Sequence, residues 1–331
     1  MSDYLMDLRR NRLHASTRRL LAEVDLHPRQ FIQPYFVYQG LKQSQELPSI
    51  RGQMKHHLPS LIRNVELGLN QGINSILLFF IPEKKCQAGS AFDHSFDSEV
   101  LVDLKKHFGN DVLIMTDLCL CSQTASGHCG ILDQSGAINN QASVKVLAEK
   151  ALVHAQAGSD VISPSDMMDG RIAAIRQVLN ASGLDDKLIM SYSSKFSSNF
   201  YGPFRDAAES TPTSGDRKSY QIDYRNPSDA MRASLRDAEE GADILMVKPA
   251  GSYLDMLYRI KHHPDLCHYP LAAYQVSGEF QSLAVMAEKG LIDFEKGLLE
   301  TLFALKRSGA DLIISYAANQ INELLKKHTG Y

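Results

Sequence analysis

The chain has 331 residues, 44% of them hydrophobic and 22% charged, with a formal net charge of -3. This ordinary globular balance allows one large domain or two medium ones and implies no nucleic-acid or membrane partner. No run approaches the ~18 apolar residues of a membrane helix, the N-terminus lacks a signal-peptide core, and five cysteines with three close together suggest a metal in a cytoplasmic chain rather than a disulfide framework.

Residues 1–30 are expected to form an N-terminal arm. It has a helical patch around 16–24 and a cluster of Arg9, Arg10, Arg12, Arg18 and Arg19, suited to another subunit or to solvent. Eight strand-like runs follow, at 32–37, 75–80, 112–118, 160–163, 188–193, 243–247, 271–276 and 312–315. Helical patterns separate them, among them 61–69, 143–156, 172–179, 230–240 and 295–307. Short apolar strands alternating with amphipathic helices predict parallel α/β structure. Gly158-Ser-Asp160, Gly241-Ala-Asp243 and Gly309-Ala-Asp311 each close a helix and open a strand, and Gly72-Ile-Asn74 is a degenerate fourth copy. Eight such units fit a (β/α)8 TIM barrel of ~250 residues. No Gly-x-Gly-x-x-Gly or P-loop supports a doubly wound sheet. Residues 31–331 are therefore read as one catalytic barrel, with a long lid loop at about 196–226.

A barrel places its chemistry just past the C-terminal ends of its strands. Those positions hold Asp117 and Cys119, Ser163 and Ser165, Lys195, Lys248, Ser277 and Tyr316. The run Ile-Leu-Met-Val-Lys248-Pro249 ends a buried strand on a lysine, and Lys195 ends the strand before it. One such lysine is accounted for by snorkelling. Two on adjacent strands would face one site, where burial and a neighbouring ammonium lower an amine's pKa and make it a Schiff-base nucleophile.

Cys119, Cys121 and Cys129 stand at x1 and x7 spacing in one loop. Three thiolates with an open fourth position suit zinc; the alternative is three reduced cysteines or a transient disulfide. His128 is a poor fourth ligand, because adjacent residues rarely reach one metal. Cys86 and Cys267 read as ordinary cysteines, and the His262, His263, Cys267, His268 group as a polar surface loop.

Taken together, Gly241-x-Asp243-x-Leu-Met-Val-Lys248-Pro249-Ala-x-x-Tyr253, the three cysteines, Pro164-Ser-Asp-Met-Met-Asp-Gly-Arg171 and Tyr201-Gly-Pro-Phe-Arg-Asp-Ala207 are highly specific. Through them the chain resembles the delta-aminolevulinic acid dehydratases, or porphobilinogen synthases, from about Gln33 to Tyr316. The resemblance implies a zinc-assisted condensation of two 5-aminolevulinate molecules to porphobilinogen, with loss of two waters, in haem and tetrapyrrole biosynthesis. It implies a homo-oligomer, commonly an octamer, with the arm embracing a neighbour. By matching position, Lys248 forms the Schiff base with the first substrate and Lys195 engages the second. Arg205, Arg217 and Gln221 match residues for the second carboxylate, and Ser277 and Tyr316 those for the first. Asp117 would hold the substrate ammonium or move protons, and Ser165 would orient the first substrate's amine. Zinc on the cysteines would act as a Lewis acid, and the lid would exclude water. Members stimulated by allosteric magnesium carry glutamate where this chain has Ala233, which puts Mg2+ in doubt. Arg236, one turn on, would supply a fixed positive charge. A class I aldolase would explain one lysine only; a zinc-storing scaffold would explain only the cysteines.

Overall fold

The computed structural model of the chain describes residues 8–87 and 90–329. Eight parallel strands close into a barrel: β1 Phe31–Tyr38, β2 Ser75–Ile81, β3 Leu113–Leu118, β4 Val161–Pro164, β5 Leu188–Lys195, β6 Ile244–Lys248, β7 Leu271–Tyr274 and β8 Leu312–Ile314. Closure is direct, with Phe31 opposite Ile313 and Ile32 opposite Ile314. A short strand, Met54–His56, adds beside the end of β1 and pairs in turn with Gln45–Glu46. All eight expected strands are present.

An all-parallel barrel has both faces covered, and the alternation along its strands sorts residues between two cores. Phe36 of β1 and Leu77, Phe79 and Ile81 of β2 point into the interior core. Their neighbours Tyr35, Val37, Ile76, Leu78 and Phe80 point outward, against Leu61 and Val65 of helix Leu58–Asn70 and Leu101 and Leu104 of helix Ser95–Phe108.

The Gly-x-Asp repeat has a physical basis beyond capping. Gly158, Gly241 and Gly309 take φ of 114°, 101° and 112°, a region that favours glycine. The following aspartates, Asp160, Asp243 and Asp311, open β4, β6 and β8. Each carboxylate accepts a backbone N–H from the preceding odd strand: Ile114 at 3.0 Å, Ile189 at 2.7 Å and Leu271 at 3.0 Å. Each also pairs with a basic residue of the helix before that strand: Lys105, Arg176 and Lys261, at 2.7, 2.5 and 2.6 Å. The degenerate copy at Gly72 stands before β2, so the motif marks every even strand.

β5 departs from regular pairing. Met190 and Ser191 lie opposite Ile244 and Leu245, whereas Ser194 and Lys195 lie opposite Val247 and Lys248. Three steps along β5 match two along β6, which is a β-bulge at Tyr192 and Ser193. Ser191 and Ser194, three apart, consequently both turn outward toward helix Pro227–Glu239. Ser191 reaches Asp237, and Ser194 reaches the Ala230 carbonyl and Ser234.

The arm differs from the expectation. Its helix is Ala15–Leu20, shorter than 16–24. A six-residue helix is held by packing more than by propensity, and Leu20 and Leu21 are 82% and 51% exposed. The lid is not a plain loop either, because Gly202–Ala207 forms a helical turn within it. No helix among the described residues is long and apolar enough to cross a membrane.

Candidate active site

Lys195 and Lys248 end β5 and β6 directly opposite one another. The bulge brings this about: it turns both Tyr192 and Lys195 into the barrel, and Lys195 Nζ lies 5.7 Å from the centre of the Tyr192 ring. Lys248 Nζ sits among four rings, with centroids at 4.0 Å (Tyr274), 4.8 Å (Tyr192), 5.0 Å (Phe204) and 5.7 Å (Tyr201). Burial first, and the Lys195 charge second, push the Lys248 amine down to about 7, against the opposing pull of Asp117. The strand-end lysine singled out in the sequence thus lies buried among aromatic rings beside a second lysine.

Lys195 Nζ donates to the Ser165 backbone carbonyl. Ser165 therefore meets this lysine through its main chain, while its side chain hydrogen-bonds the Asp117 carboxyl. Asp117 lies on β3 with one carboxylate oxygen unpartnered among the described residues. Burial raises its pKa, with the Lys248 charge opposing.

The lid reaches back over the barrel mouth. Its return segment pairs with the end of β5 through the Ile222 N–H to the Lys195 carbonyl, 3.1 Å, and the Ser197 N–H to the Ile222 carbonyl, 2.8 Å. The Tyr201 hydroxyl lies 2.8 Å from the Phe196 carbonyl and 3.1 Å from that of Lys248. On the other side, Ser277 Oγ accepts the Phe204 N–H at 2.9 Å, so this hydroxyl at the end of β7 anchors the lid turn. Arg217 donates to the carbonyls of Gly127 and Ser210 at 2.9 and 2.5 Å, joining the lid to the cysteine loop. Lid and loop pack backbone to backbone here: a Cβ at Gly127 would stand 2.4 Å from the Thr211 carbonyl oxygen.

Several buried polar atoms around this space have no partner among the described residues. They include Arg205 Nε, Arg217 Nε, both amide atoms of Gln221 and the hydroxyl of Tyr316. Buried polar groups are nearly always satisfied, so such a concentration marks a place built for a polar ligand. Burial and the Arg217 charge lower the Arg205 pKa. The two guanidinium groups thus lie in each other's field, and the Cys129 sulfur acts on both.

Cys119, Cys121 and Cys129 are buried with their sulfurs within 4.8 Å of one another, Cys119 and Cys121 at 3.3 Å. They are the only such group of potential ligands among the described residues, and none is in a disulfide. Hydrogen bonds from Cys119 and Cys121 hold the Cys129 thiol well below its ordinary range, assisted by Arg217 and Lys195. Burial pushes the Cys119 thiol well up, and three sulfurs converging this closely fit a thiophilic metal. His128 is engaged elsewhere: Nδ1 lies 3.1 Å from the Tyr220 hydroxyl and Nε2 3.0 Å from the Ser214 carbonyl. Ala233 and Arg236 border a surface cavity that Gln221 and His128 also line, and there Arg236 pairs with Asp237 at 2.8 Å and with Asp169.

The aromatic cage around Lys248 was not anticipated as such. Tyr201 and Phe204 belong to a motif quoted above, without a role; the available signal for Tyr192 and Tyr274 was a large polar aromatic on an otherwise apolar strand.

A family model described as delta-aminolevulinic acid dehydratase matches residues 6–324. The Helicobacter pylori delta-aminolevulinic acid dehydratase is 42% identical over 329 residues, covering 97% of this chain and 99% of that protein. The Bacillus subtilis one is 43% identical over 312 residues, covering 94% and 95%. The crystal structure of the Toxoplasma gondii ME49 enzyme, in complex with its reaction product porphobilinogen, matches with a TM-score of 0.91 at 38% identity over 97% of this chain and 92% of that one. The match runs over nearly the whole chain, and by it the chain belongs to the delta-aminolevulinic acid dehydratase family.

Proposed function

We propose that the protein condenses two 5-aminolevulinate molecules into porphobilinogen, as a hydro-lyase of tetrapyrrole biosynthesis. The observation that carries this reading is the register of Lys195 opposite Lys248, with the Lys248 amine at about 7, beneath a segment whose Arg205 and Arg217 each keep a buried Nε without a partner among the described residues. The neutral Lys248 amine adds to the ketone of the first substrate, and loss of one water leaves a carbon–nitrogen double bond to the protein. Asp117, buried and hydrogen-bonded by Ser165, shuttles the protons of these steps. Lys195 engages the second substrate. A carbon–carbon and a carbon–nitrogen bond join the two molecules, a second water leaves, and Lys248 is released.

Arg205 and Arg217, with the free amide of Gln221, clamp the carboxylate of the second substrate. Tyr316 offers a hydroxyl to the first carboxylate. Ser277 has the same assignment, and since it also holds the Phe204 N–H, it links carboxylate binding to lid position. Cys119, Cys121 and Cys129 hold zinc, which supplies Lewis acidity beside the second substrate. The chain acts as a homo-oligomer, an octamer, with the described part of the arm, residues 8–30, packed on a neighbour; the exposed Leu20 and Leu21 support that packing. With Ala233 in place of a glutamate, magnesium does not stimulate it.

The test is a colour assay for porphobilinogen from 5-aminolevulinate, with and without a strong chelator. Zinc-restorable product supports both reaction and metal. Product that survives chelation removes zinc from the reaction. Folded protein that makes no product with any metal overturns the reading and returns attention to a Schiff-base aldolase.

A further inference from the structure

Behind the cysteine loop lies a buried charge cluster that the condensation does not use. Helix Asn140–Ala157 carries Lys150 and His154, four residues apart and therefore on one face. Helix Ser95–Phe108 carries Asp97. The three side chains are at most 2% exposed. Asp97 Oδ2 lies 3.3 Å from Lys150 Nζ and 3.0 Å from His154 Nε2, with Gln123 Nε2 at 3.4 Å. Lys150 also reaches past the carboxylate: its Nζ donates to the Cys119 backbone carbonyl at 3.3 Å. Its side chain borders the small cavity that Asp117, Cys119 and Cys121 share.

An ion pair this deep contributes little to stability, because desolvating both charges offsets their attraction. Its location points to a different use. Groups behind the direct ligands of a metal orient those ligands and set the local charge. A divalent ion on three thiolates leaves one net negative charge, and a fixed ammonium opposite it makes that charge tolerable in a buried site.

We propose that Lys150, held by Asp97 and through it by His154, is a positioning residue of the metal site. It fixes the main chain at Cys119 and sets its ammonium, with Asp97 as counter-ion, at the edge of the cavity that Cys119 and Cys121 line. This rests on the zinc reading above.

The test measures zinc affinity directly, by competition between the full-length apo protein and a chromophoric chelator, with no turnover involved. Lys150→Met alone strands the Asp97 carboxylate beside His154, so the informative variant is Asp97→Asn combined with Lys150→Met, which removes both charges. The double variant is expected to fold, by circular dichroism, and to bind zinc about 10- to 100-fold more weakly. Lys150→Arg, which keeps the charge and the donors, is expected to hold zinc nearly as wild type does. Unchanged affinity in the folded double variant overturns the proposal while leaving the metal site intact. A loss in Lys150→Arg as large as in the double variant overturns it as well, because packing rather than charge is then responsible. If the wild-type protein takes up no more zinc than Cys129→Ser, the zinc reading itself fails and the proposal falls with it.

Discussion

Lys248 exchanges its proton near neutrality because burial acts first and the Lys195 charge second. Below about pH 7 the folded protein holds the charged form, and the free nucleophile declines about tenfold per pH unit. Borohydride trapping of 5-aminolevulinate on Lys248 should therefore fall with that slope on the acid side and level off above about 7; a flat profile would reject a titrating nucleophile. Stability carries the opposite mark of the same shift. The unfolded chain keeps an ordinary lysine, so between about 7 and that ordinary value it binds the additional proton. Stability accordingly rises with pH across this window, and below it the folded state bears the whole cost of a buried ammonium. Lys248→Met is expected to remove that cost. Its melting temperature below pH 7 should exceed wild type by roughly 2–4 °C per kcal/mol recovered, with trapping and turnover lost; a lower melting temperature would show that the amine's contacts outweigh its desolvation. Arg217 makes a different demand, because one terminal nitrogen already donates to the carbonyls of Gly127 and Ser210 and leaves the rest of its fork for a ligand. Arg217→Lys keeps the charge but loses the fork. Steady-state kinetics should give a KM raised about tenfold or more, in line with ~1–3 kcal/mol for a charged hydrogen bond; an unchanged KM would remove Arg217 from the carboxylate clamp.

Among the elements, β5 is the one whose irregularity has chemical content. Its extra residue turns Tyr192 and Lys195 to the same side, which regular alternation forbids for positions three apart. Deleting Ser193 removes the bulge and leaves Tyr192 and Lys195 two apart, so regular alternation still turns both inward and keeps Lys195 opposite Lys248. Turnover should therefore survive that deletion, whereas Lys195→Ala should lower it by at least about 100-fold, the scale of a misplaced reacting group, while Lys248 on the undisturbed β6 still traps substrate. Retained turnover in Lys195→Ala would mean Lys195 is dispensable. The bulge was not legible beforehand, since Leu188 to Lys195 reads as one strand and only cross-strand pairing reveals the added residue. Other elements were legible to different degrees. The strands declared themselves as short apolar runs, because each is buried on both faces. Helices Ser95–Phe108 and Ser277–Glu288 were passed over; in the first, Asp97 takes a buried position that apolar periodicity cannot count. At the site, the lysines and cysteines stood out by residue type. The rings around Lys248 did not, because an aromatic residue on a strand is ordinarily core, and the role of Tyr192 depends on its partners across the barrel.

For the molecule as a whole, the aspartates that open β4, β6 and β8 have a mechanical consequence. Each clamps an odd strand to the even strand that follows, through the N–H groups of Ile114, Ile189 and Leu271. Exchange of these three amides with solvent deuterium should be slow in the wild-type protein, and Asp243→Asn should speed exchange at Ile189 while sparing Leu271; equal effects at both would mean the clamps act as one ring. The residues at the opposite rim sort into the same couples: Asp117 with Ser165, Lys195 with Lys248, Ser277 with Tyr316. The barrel is thus stapled in twos at its lower rim. Because Asp243 ties the start of β5 to the start of β6, the spacing of the two amines at the upper rim is anchored by a contact at the far end of the same two strands, as the blades of a pair of shears are set by their rivet.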